Sequence, residues 1–136
     1  MNLHKIETCN GKGRGEHFGR SENGIVVTAF HEATKAGVLM LERGGNAVDA
    51  ACAASMALCV CEPQSSGLGG QGIAILHLDG KTFTLDGSSR TPSLAHKSNI
   101  EAHERSFGYK AATVPSIPAF IGYLHLEHGR LEWDEI

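Results

Sequence analysis

A glycine-rich loop between an apolar segment and a strand-like segment is the first candidate for chemistry. Its residues Gly67-Leu68-Gly69-Gly70-Gln71-Gly72 satisfy the pattern G-x-G-x-x-G. That pattern binds dinucleotide phosphates when a strand precedes it and a helix follows it. Here the predicted order is reversed, so no helix N-terminus is directed at a pyrophosphate. We therefore expect no nucleotide cofactor, and we interpret the loop as a close approach of backbone to backbone or to a substrate.

Metal-binding residue types are present but do not form a convincing set. Among eight histidines, His125 and His128 could share a helical face, but no H-E-x-x-H motif and no carboxylate-rich calcium loop occurs. Cys59 and Cys61 lack the second pair of ligands that a zinc site needs. We predict solvent-exposed histidines, cysteines that act as small hydrophobic residues, and no metal site.

Two serines next to the glycine loop raise the question of acyl chemistry. Ser65 and Ser66 directly precede Gly67, but the nucleophile motif G-x-S-x-G is absent. The order of serine, histidine and carboxylate residues along the chain is not compelling either. Taken alone, these residues indicate only an α/β segment that carries a glycine loop.

Composition excludes several classes of protein. The chain has 136 residues, 41% of them hydrophobic and 20% charged, which fits one globular domain. A net charge of −3 gives no basic field for nucleic acid or anionic membrane. The charge-free run 50–61 is too short to cross a bilayer. Because the first residues contain no secretory signal, we expect a cytoplasmic protein, unless Met1 is not the start of the full gene product.

The first half of the chain predicts an arm, a strand and two helices. Residues 1–22 are polar and rich in glycine, which predicts a leader or extended arm, and 24–30 predict a buried strand. Residues 31–43 predict a helix that ends at Gly44-Gly45, and Asn46 is expected to cap the next helix, 47–61. This second helix is apolar nearly all round, so neighbours must cover it on more than one side.

The second half predicts a hairpin and a further helix. Residues 73–78 and 81–85 predict two strands joined by Asp79-Gly80. A helix is expected within 93–105, an extended segment at 113–115, and a helix from Ser116 or Pro118 to about His128, followed by a helical first turn at 133–136.

Several of these residues together match a known family. The run Gly44-Gly45-Asn46-Ala47-Val48-Asp49-Ala50-Ala51 is followed by Glu62-Pro63, Ser66-Gly67-Leu68-Gly69-Gly70, Leu85-Asp86-Gly87, Pro92, Ala112-Thr113-Val114-Pro115 and Gly129-Arg130-Leu131. This sequence resembles the N-terminal part of the large subunit of the γ-glutamyltransferase (γ-glutamyltranspeptidase) family, from about Gly19 to Ile136. We therefore interpret 23–136 as an incomplete domain.

The resemblance implies an N-terminal-nucleophile hydrolase, an α/β fold in which two sheets lie between helical layers (an αββα sandwich). In this family a precursor cleaves itself, and the threonine released at the new N-terminus attacks the γ-glutamyl amide of glutathione or a related compound. Its α-amino group is the general base, and the acyl group passes to water or to an amino acid. No cofactor is implied. The position of that threonine lies outside this chain, which is expected to be an inactive N-terminal fragment that ends within a helix near Trp133.

One substrate-binding residue of the family could fall in this chain. In glutathione-processing members an arginine soon after the Leu-Asp-Gly strand end binds the substrate α-carboxylate, in the order Arg-Glu-x-x-Pro. Here the order is Ser88-Ser89-Arg90-Thr91-Pro92, so a serine occupies the aligned place. This order is more like the γ-glutamyltransferase-like and acylase branch. Arg90 is the candidate substrate-binding residue, and the alternative is an exposed loop arginine without a ligand.

Three functional hypotheses follow. The main one is the amino-terminal piece of a γ-glutamyltransferase-like enzyme, whose partners are a γ-glutamyl or other acyl-amide substrate, the remainder of the large subunit, and the small subunit. The second is a related acylase that accepts another amide. The third is a truncated product without catalytic activity. A threonine at a self-cleavage junction further along the gene product would separate the third from the others.

Overall fold

The computed structural model describes residues 21–136. The predicted arm at 1–22 lies outside the described residues except for its last two positions. The elements, in chain order, are α1 (His31–Glu42), α2 (Ala47–Cys61), β1 (Gly72–Leu78), β2 (Lys81–Gly87) and α3 (Ile117–His128). Short 3-10 helices lie at Ala102–Arg105, Tyr109–Ala111 and Trp133–Glu135.

The turn between α1 and α2 forms as its glycines predict. Gly44 has a φ of 90°, a left-handed conformation that a residue with a side chain rarely adopts. The Gly44 N–H donates to the Leu41 carbonyl at 3.1 Å, and the Gly45 N–H donates to the Met40 carbonyl at 2.9 Å. These two bonds are the Schellman arrangement that ends a helix.

Helix α2 lies at the centre of the described chain and contributes to two hydrophobic clusters. The first cluster joins α2 to α3 and β1, and its buried residues are Val48, Cys52, Leu76, Ile121 and Leu124. The second joins α2 to α1, and its buried residues are Met40, Ala50 and Ala53. Burial on two sides confirms the prediction drawn from its apolar sequence.

The hairpin forms in the predicted place and packs on one face only. Asp79 and Gly80 both have positive φ, 50° and 74°, as a two-residue turn of type I′ requires. The antiparallel register runs from Leu78↔Lys81 to Gly72↔Gly87. Leu76 is buried against the helices, whereas Ile73 and Ile75 on the opposite face are 72% and 76% exposed.

The predicted buried strand at 24–30 is wrong. Among the described residues this segment pairs with no strand, and Val27 is 84% exposed. Because a strand needs a partner to satisfy its backbone groups, apolar sequence alone does not create one. Instead the Thr28 hydroxyl donates to the Phe30 carbonyl at 2.6 Å, just before α1.

The predicted helix within 93–105 is also wrong, apart from the short 3-10 helix Ala102–Arg105. The cause is Asn99, whose side chain replaces helical backbone bonds. Its Oδ1 accepts from the His96 N–H at 2.8 Å, and its Nδ2 donates to the Leu94 carbonyl at 2.7 Å. Asparagine commonly competes with helix formation in this way.

The remaining elements agree with the sequence analysis. Helix α3 follows the extended residues 113–115, and Val114 pairs with Arg90 in an isolated antiparallel bridge. The α/β fold class is confirmed, with one two-stranded sheet among residues 21–136. Within that range no helix has the length and apolar character needed to span a membrane.

We expect the isolated chain to associate with itself. Val60 of α2 is 80% exposed, and the uncovered hairpin face adds Ile73 and Ile75. Exposed apolar surface of this kind favours association in water. Size-exclusion chromatography with light scattering at micromolar concentration should therefore give species larger than a monomer. A monomer that melts cooperatively at that concentration would contradict this expectation.

Candidate substrate-binding site

The glycine loop and the end of the hairpin lie side by side, at the end of the sheet where Gly72 pairs with Gly87. The loop follows α2 and precedes β1, which is the reverse of a dinucleotide-binding loop, as predicted. Gly72, at the end of the loop, pairs with Gly87, the last residue of β2. The backbone of the glycine loop therefore lies beside the segment that carries Ser88, Ser89 and Arg90.

Ser116, just before α3, forms hydrogen bonds to both the glycine loop and the end of β2. Its backbone N–H donates to the Gly70 carbonyl at 3.2 Å. Its hydroxyl makes a short hydrogen bond to the Gly87 carbonyl and lies 3.4 Å from the Gly70 carbonyl. One residue thus contacts both the glycine loop and the end of β2. Ser116 was predicted only as a possible helix start, and no local sequence signal indicates these two contacts.

The Ser88–Arg90 segment is held by a separate partner at each residue. Both the backbone N–H and the hydroxyl of Ser88 donate to Asp86 Oδ1, at 2.9 and 2.6 Å. Those two bonds lower the pKa of the Asp86 carboxyl. The backbone N–H and hydroxyl of Ser89 both lie 3.2 Å from Gln71 Oε1.

Arg90 has a fixed backbone and an exposed side chain. Its carbonyl accepts from the Val114 N–H at 2.8 Å, and its N–H lies 3.4 Å from the Val114 carbonyl. Within residues 21–136 its guanidinium forms no hydrogen bond or salt bridge with another side chain. An accessible guanidinium can bind a carboxylate through two parallel N–H···O bonds. Its role as a substrate ligand remains a prediction.

A second group of motif residues, around Asn46 and Asp49, joins the start of α2 to the segment after α3, and we call this contact the latch. The Asn46 side chain accepts from the backbone of Val48 at 2.8 Å and of Asp49 at 3.1 Å. Asp49 Oδ2 accepts from the Asn46 N–H at 2.7 Å, which completes a capping box. The Asn46 Nδ2 group also donates to the His128 carbonyl at 2.7 Å.

Asp49 extends the latch to the segment after α3. This residue is fully buried, and its carboxylate accepts from the Arg130 N–H at 3.0 and 3.1 Å and from the Leu131 N–H at 3.4 Å. A Cβ atom at Gly129 would lie 2.9 Å from Asp49 Oδ1, so a larger residue there would disturb the carboxylate. The Gly-Asn-x-x-Asp and Gly-Arg-Leu motifs therefore bind each other through backbone and side-chain hydrogen bonds.

The predicted solvent-exposed histidines include one that is buried. His125 is only 9% exposed, its Nε2 lies 3.5 Å from Asp49 Oδ1, and its ring packs edge-on against Trp133. The prediction is wrong for His125 because it lies on the inner face of α3. His128 packs instead against Phe83. Among residues 21–136, no group of three or more His, Cys, Asp or Glu side chains could hold a metal ion.

The serines before the glycine loop have a structural partner. The Ser66 hydroxyl donates to a Glu62 carboxylate oxygen at 3.1 Å, and Glu62 ends helix α2. Both backbone N–H groups of Ser65 and Ser66 also point to the Glu62 carbonyl, at 3.0 and 2.8 Å. These contacts close the turn after α2 and give the Ser66 hydroxyl a structural partner.

Cys52 offers a test of how α2 packs against α3. Its thiol lies 3.8 Å from the Ile121 carbonyl, and burial, with a smaller contribution from Asp49, raises its pKa to about 11. Because only the thiolate reacts, we expect iodoacetamide to modify Cys52 at least about 10-fold more slowly than half-buried Cys61 in the folded chain. Peptide mass spectrometry would measure both rates, with urea-unfolded chain as the control. Equal rates in the folded chain would contradict the burial of Cys52.

A cavity of about 630 Å³ lies away from this site, between residues 23–28 and the small side chains of α2. It is lined by Ala47, Ala50, Ala51 and Ala54 of that helix, and no residue of the Ser88–Arg90 segment contributes. The cavity marks the side of α2 that the described chain leaves partly uncovered.

Comparison with known proteins identifies close relatives over most of the chain. The family model described as gamma-glutamyltranspeptidase matches residues 33–136. The glutathione hydrolase proenzyme of Pseudomonas aeruginosa is 33% identical over 122 residues, which cover 85% of this chain and 22% of that protein. Glutathione hydrolase 7 of Bos taurus is 34% identical over 118 residues, covering 83% and 17%. The chain thus spans about a fifth of the length of these curated relatives.

Solved structures agree with the sequence comparisons. A gamma-glutamyltranspeptidase from Pseudomonas nitroreducens complexed with L-DON has a TM-score of 0.77 at 32% identity, with 85% of this chain and 37% of that chain covered. A cephalosporin acylase from Bacillus halodurans has a TM-score of 0.68 at 36% identity, with 73% and 19% covered.

Proposed function

The chain belongs to the gamma-glutamyltranspeptidase family, and from this premise we propose that it is the amino-terminal part of a large subunit that acts on γ-glutamyl amides. The observation that carries the proposal is the family match over 33–136. In this proposal the threonine nucleophile and its general-base amino group belong to a segment outside these 136 residues. The proposed substrates are glutathione and related γ-glutamyl compounds, and the proposed partners are the rest of the large subunit and the small subunit.

The proposed task of this chain is to bind the substrate and not to cleave it. Arg90 would bind the α-carboxylate of the γ-glutamyl group through two parallel N–H···O bonds. Its backbone bridge to Val114 and the Ser116 contacts to the glycine loop support this role, because they hold the segment in one position. The α-carboxylate does not react, so this contact would contribute to substrate binding and leave the attack on the amide to the threonine.

A related acylase is the second candidate. Ser88 stands where glutathione-processing members have an arginine, and its hydroxyl is already bonded to Asp86. The similarity to a cephalosporin acylase, at 36% identity, also favours the acylase hypothesis. Such an enzyme would accept acyl amides that lack an α-carboxylate.

A hybrid proenzyme tests the proposal. In it, residues 33–136 of this chain replace the aligned segment of the Pseudomonas aeruginosa relative. We expect this hybrid to cleave itself into two subunits and to release p-nitroaniline from L-γ-glutamyl p-nitroanilide. The isolated 136-residue chain should give no release above background, because the proposal places the threonine nucleophile in a segment outside it. Gel electrophoresis and absorbance measure the two results.

The outcomes test the proposal and separate the two enzyme hypotheses. Turnover by the isolated chain, free of host enzyme, would contradict the proposal that this chain binds the substrate and that another segment cleaves it. A hybrid that cleaves itself but hydrolyses only anilides without an α-carboxylate would identify the acylase. A hybrid that neither cleaves itself nor turns over either substrate, while the parent proenzyme does both, would contradict the proposal for this segment. The non-catalytic product is separated from both enzymes by a threonine at a self-cleavage junction further along the gene product.

A further inference from the structure

Gln71 holds the residue next to Arg90 through two hydrogen bonds. Its Oε1 atom lies 3.2 Å from both the backbone N–H and the hydroxyl of Ser89. A backbone N–H only donates, so the oxygen of the Gln71 amide must be the atom that faces it. The contact joins residues 18 positions apart, from the glycine loop to the segment after β2.

The backbone on both sides of Gln71 is fixed, which gives this side chain a defined starting point. The preceding Gly70 carbonyl accepts from the Ser116 N–H at 3.2 Å, and the following Gly72 pairs with Gly87 across the hairpin. The Gln71 side chain therefore extends from a backbone position that hydrogen bonds fix on both sides. It contacts Ser89, the residue between the end of β2 and Arg90.

We propose that Gln71 is a positioning residue for substrate specificity, which acts on Arg90 through Ser89. The segment from Gly87 to Arg90 is held at its far end by the bridge to Val114. Gln71 holds the middle of this segment through Ser89. Together the two contacts fix the position of the Arg90 backbone, from which the guanidinium side chain extends. This inference rests on the proposed function of Arg90 as the ligand of the substrate α-carboxylate. It adds that a residue of the glycine loop sets how well that ligand is placed.

The first test measures the contact itself in the full 136-residue chain. Gln71→Met keeps the length of the side chain but removes the oxygen that accepts from Ser89. We expect the Ser89 amide to exchange with deuterium about 3- to 10-fold faster in this variant. Gln64→Met is the matched control, because Gln64 is an exposed glutamine near the same loop. Unchanged exchange at Ser89 in Gln71→Met would overturn the proposal.

The second test measures the consequence in the hybrid proenzyme. Gln71→Met should raise KM for L-γ-glutamyl p-nitroanilide about 3- to 10-fold and leave kcat within about twofold, because the carboxylate is remote from the reacting amide. The 4-aminobutanoyl anilide, which lacks only the α-carboxylate, should be unaffected. Normal self-cleavage of the variant shows that it folds, and Ser89→Ala, which loses one of the two donors, should give a smaller effect.

A double variant separates positioning from a general structural role. If Gln71 acts through Arg90, then Gln71→Met should have no further effect on KM in an Arg90→Lys background. An equal effect in both backgrounds would overturn the proposal. If Arg90→Lys alone affects the two anilides equally, the proposed carboxylate site is wrong. The specificity role of Gln71 is then wrong as well, even if Gln71→Met has accelerated deuterium exchange at the Ser89 amide. If Arg90→Lys discriminates and Gln71→Met does not, only the further inference fails.

Discussion

Arg90→Lys in the hybrid proenzyme is expected to lower kcat/KM for L-γ-glutamyl p-nitroanilide by about 10- to 100-fold. Lysine keeps the positive charge but loses the planar pair of donors that fits a carboxylate. The loss of one charge-assisted hydrogen bond costs about 1.5–3 kcal/mol, which corresponds to that range. The 4-aminobutanoyl anilide should lose little, because it has no α-carboxylate for Arg90 to bind.

Two further variants sharpen this result. Arg105→Lys makes the same chemical change at an exposed arginine on the 3-10 helix Ala102–Arg105 and should leave both anilides unaffected. Ser88→Arg restores the arginine at the place where glutathione-processing members carry it. We expect it to improve the γ-glutamyl anilide relative to the 4-aminobutanoyl anilide. Equal effects of Arg90→Lys on both substrates would show that Arg90 has a structural role.

Elements with strong local signals were predictable from the sequence. Gly44 supplies the left-handed residue that ends α1, Asp79-Gly80 supplies the two positive φ values of the hairpin turn, and Asn46 caps α2. In each case the signal and the structure lie within a few residues of each other. Local chemistry therefore determines the element, and no knowledge of distant contacts is needed.

Elements that depend on distant partners were not predictable. Residues 24–30 have the composition of a strand, but pairing needs a neighbour that composition does not identify. The helix expected within 93–105 is replaced by the side-chain bonds of Asn99 to His96 and Leu94. Asparagine is compatible with both outcomes, so the sequence alone did not decide between them.

The candidate site shows the same division. Arg90 was found from its place in a family motif, because motif order is a property of the sequence. The contacts between Gln71 and Ser89, 18 residues apart, and between Asp49 and Arg130, 81 residues apart, appear only in three dimensions. The lone carboxylate of Asp49 in an otherwise apolar helix was the signal that could have indicated a buried polar contact.

Asp49→Ala is expected to lower the free energy of unfolding by about 2–4 kcal/mol, the other large effect that the structure predicts. The fully buried carboxylate accepts backbone N–H groups of Asn46, Arg130 and Leu131. Alanine would remove the acceptor of these three N–H groups, which lie at half-buried Asn46 and Leu131 and at exposed Arg130, and the loss of each hydrogen bond has a cost. It would also free the segment after α3 from the N-terminus of α2.

The single tryptophan of the chain makes this measurable. Trp133 packs edge-on against His125, 5.1 Å between ring centres, beside the latch. Its fluorescence during urea unfolding, at a concentration below that of association, should show a midpoint shifted to lower urea with an unchanged slope. Asp134→Ala, at an exposed aspartate next to the same tryptophan, is the matched control and should change stability by no more than about 0.5 kcal/mol.

Asp49→Asn distinguishes the role of the hydrogen bonds from that of the side-chain shape. The amide has the same size but only one acceptor oxygen, so it cannot accept on both sides as the carboxylate does. Its NH₂ group would face either the Asn46 N–H or the Arg130 N–H, donor against donor. We therefore expect a loss of at least half that of Asp49→Ala. If Asp49→Asn is as stable as the unmodified chain, shape and not hydrogen bonding holds the two motifs together, and the latch is wrongly described.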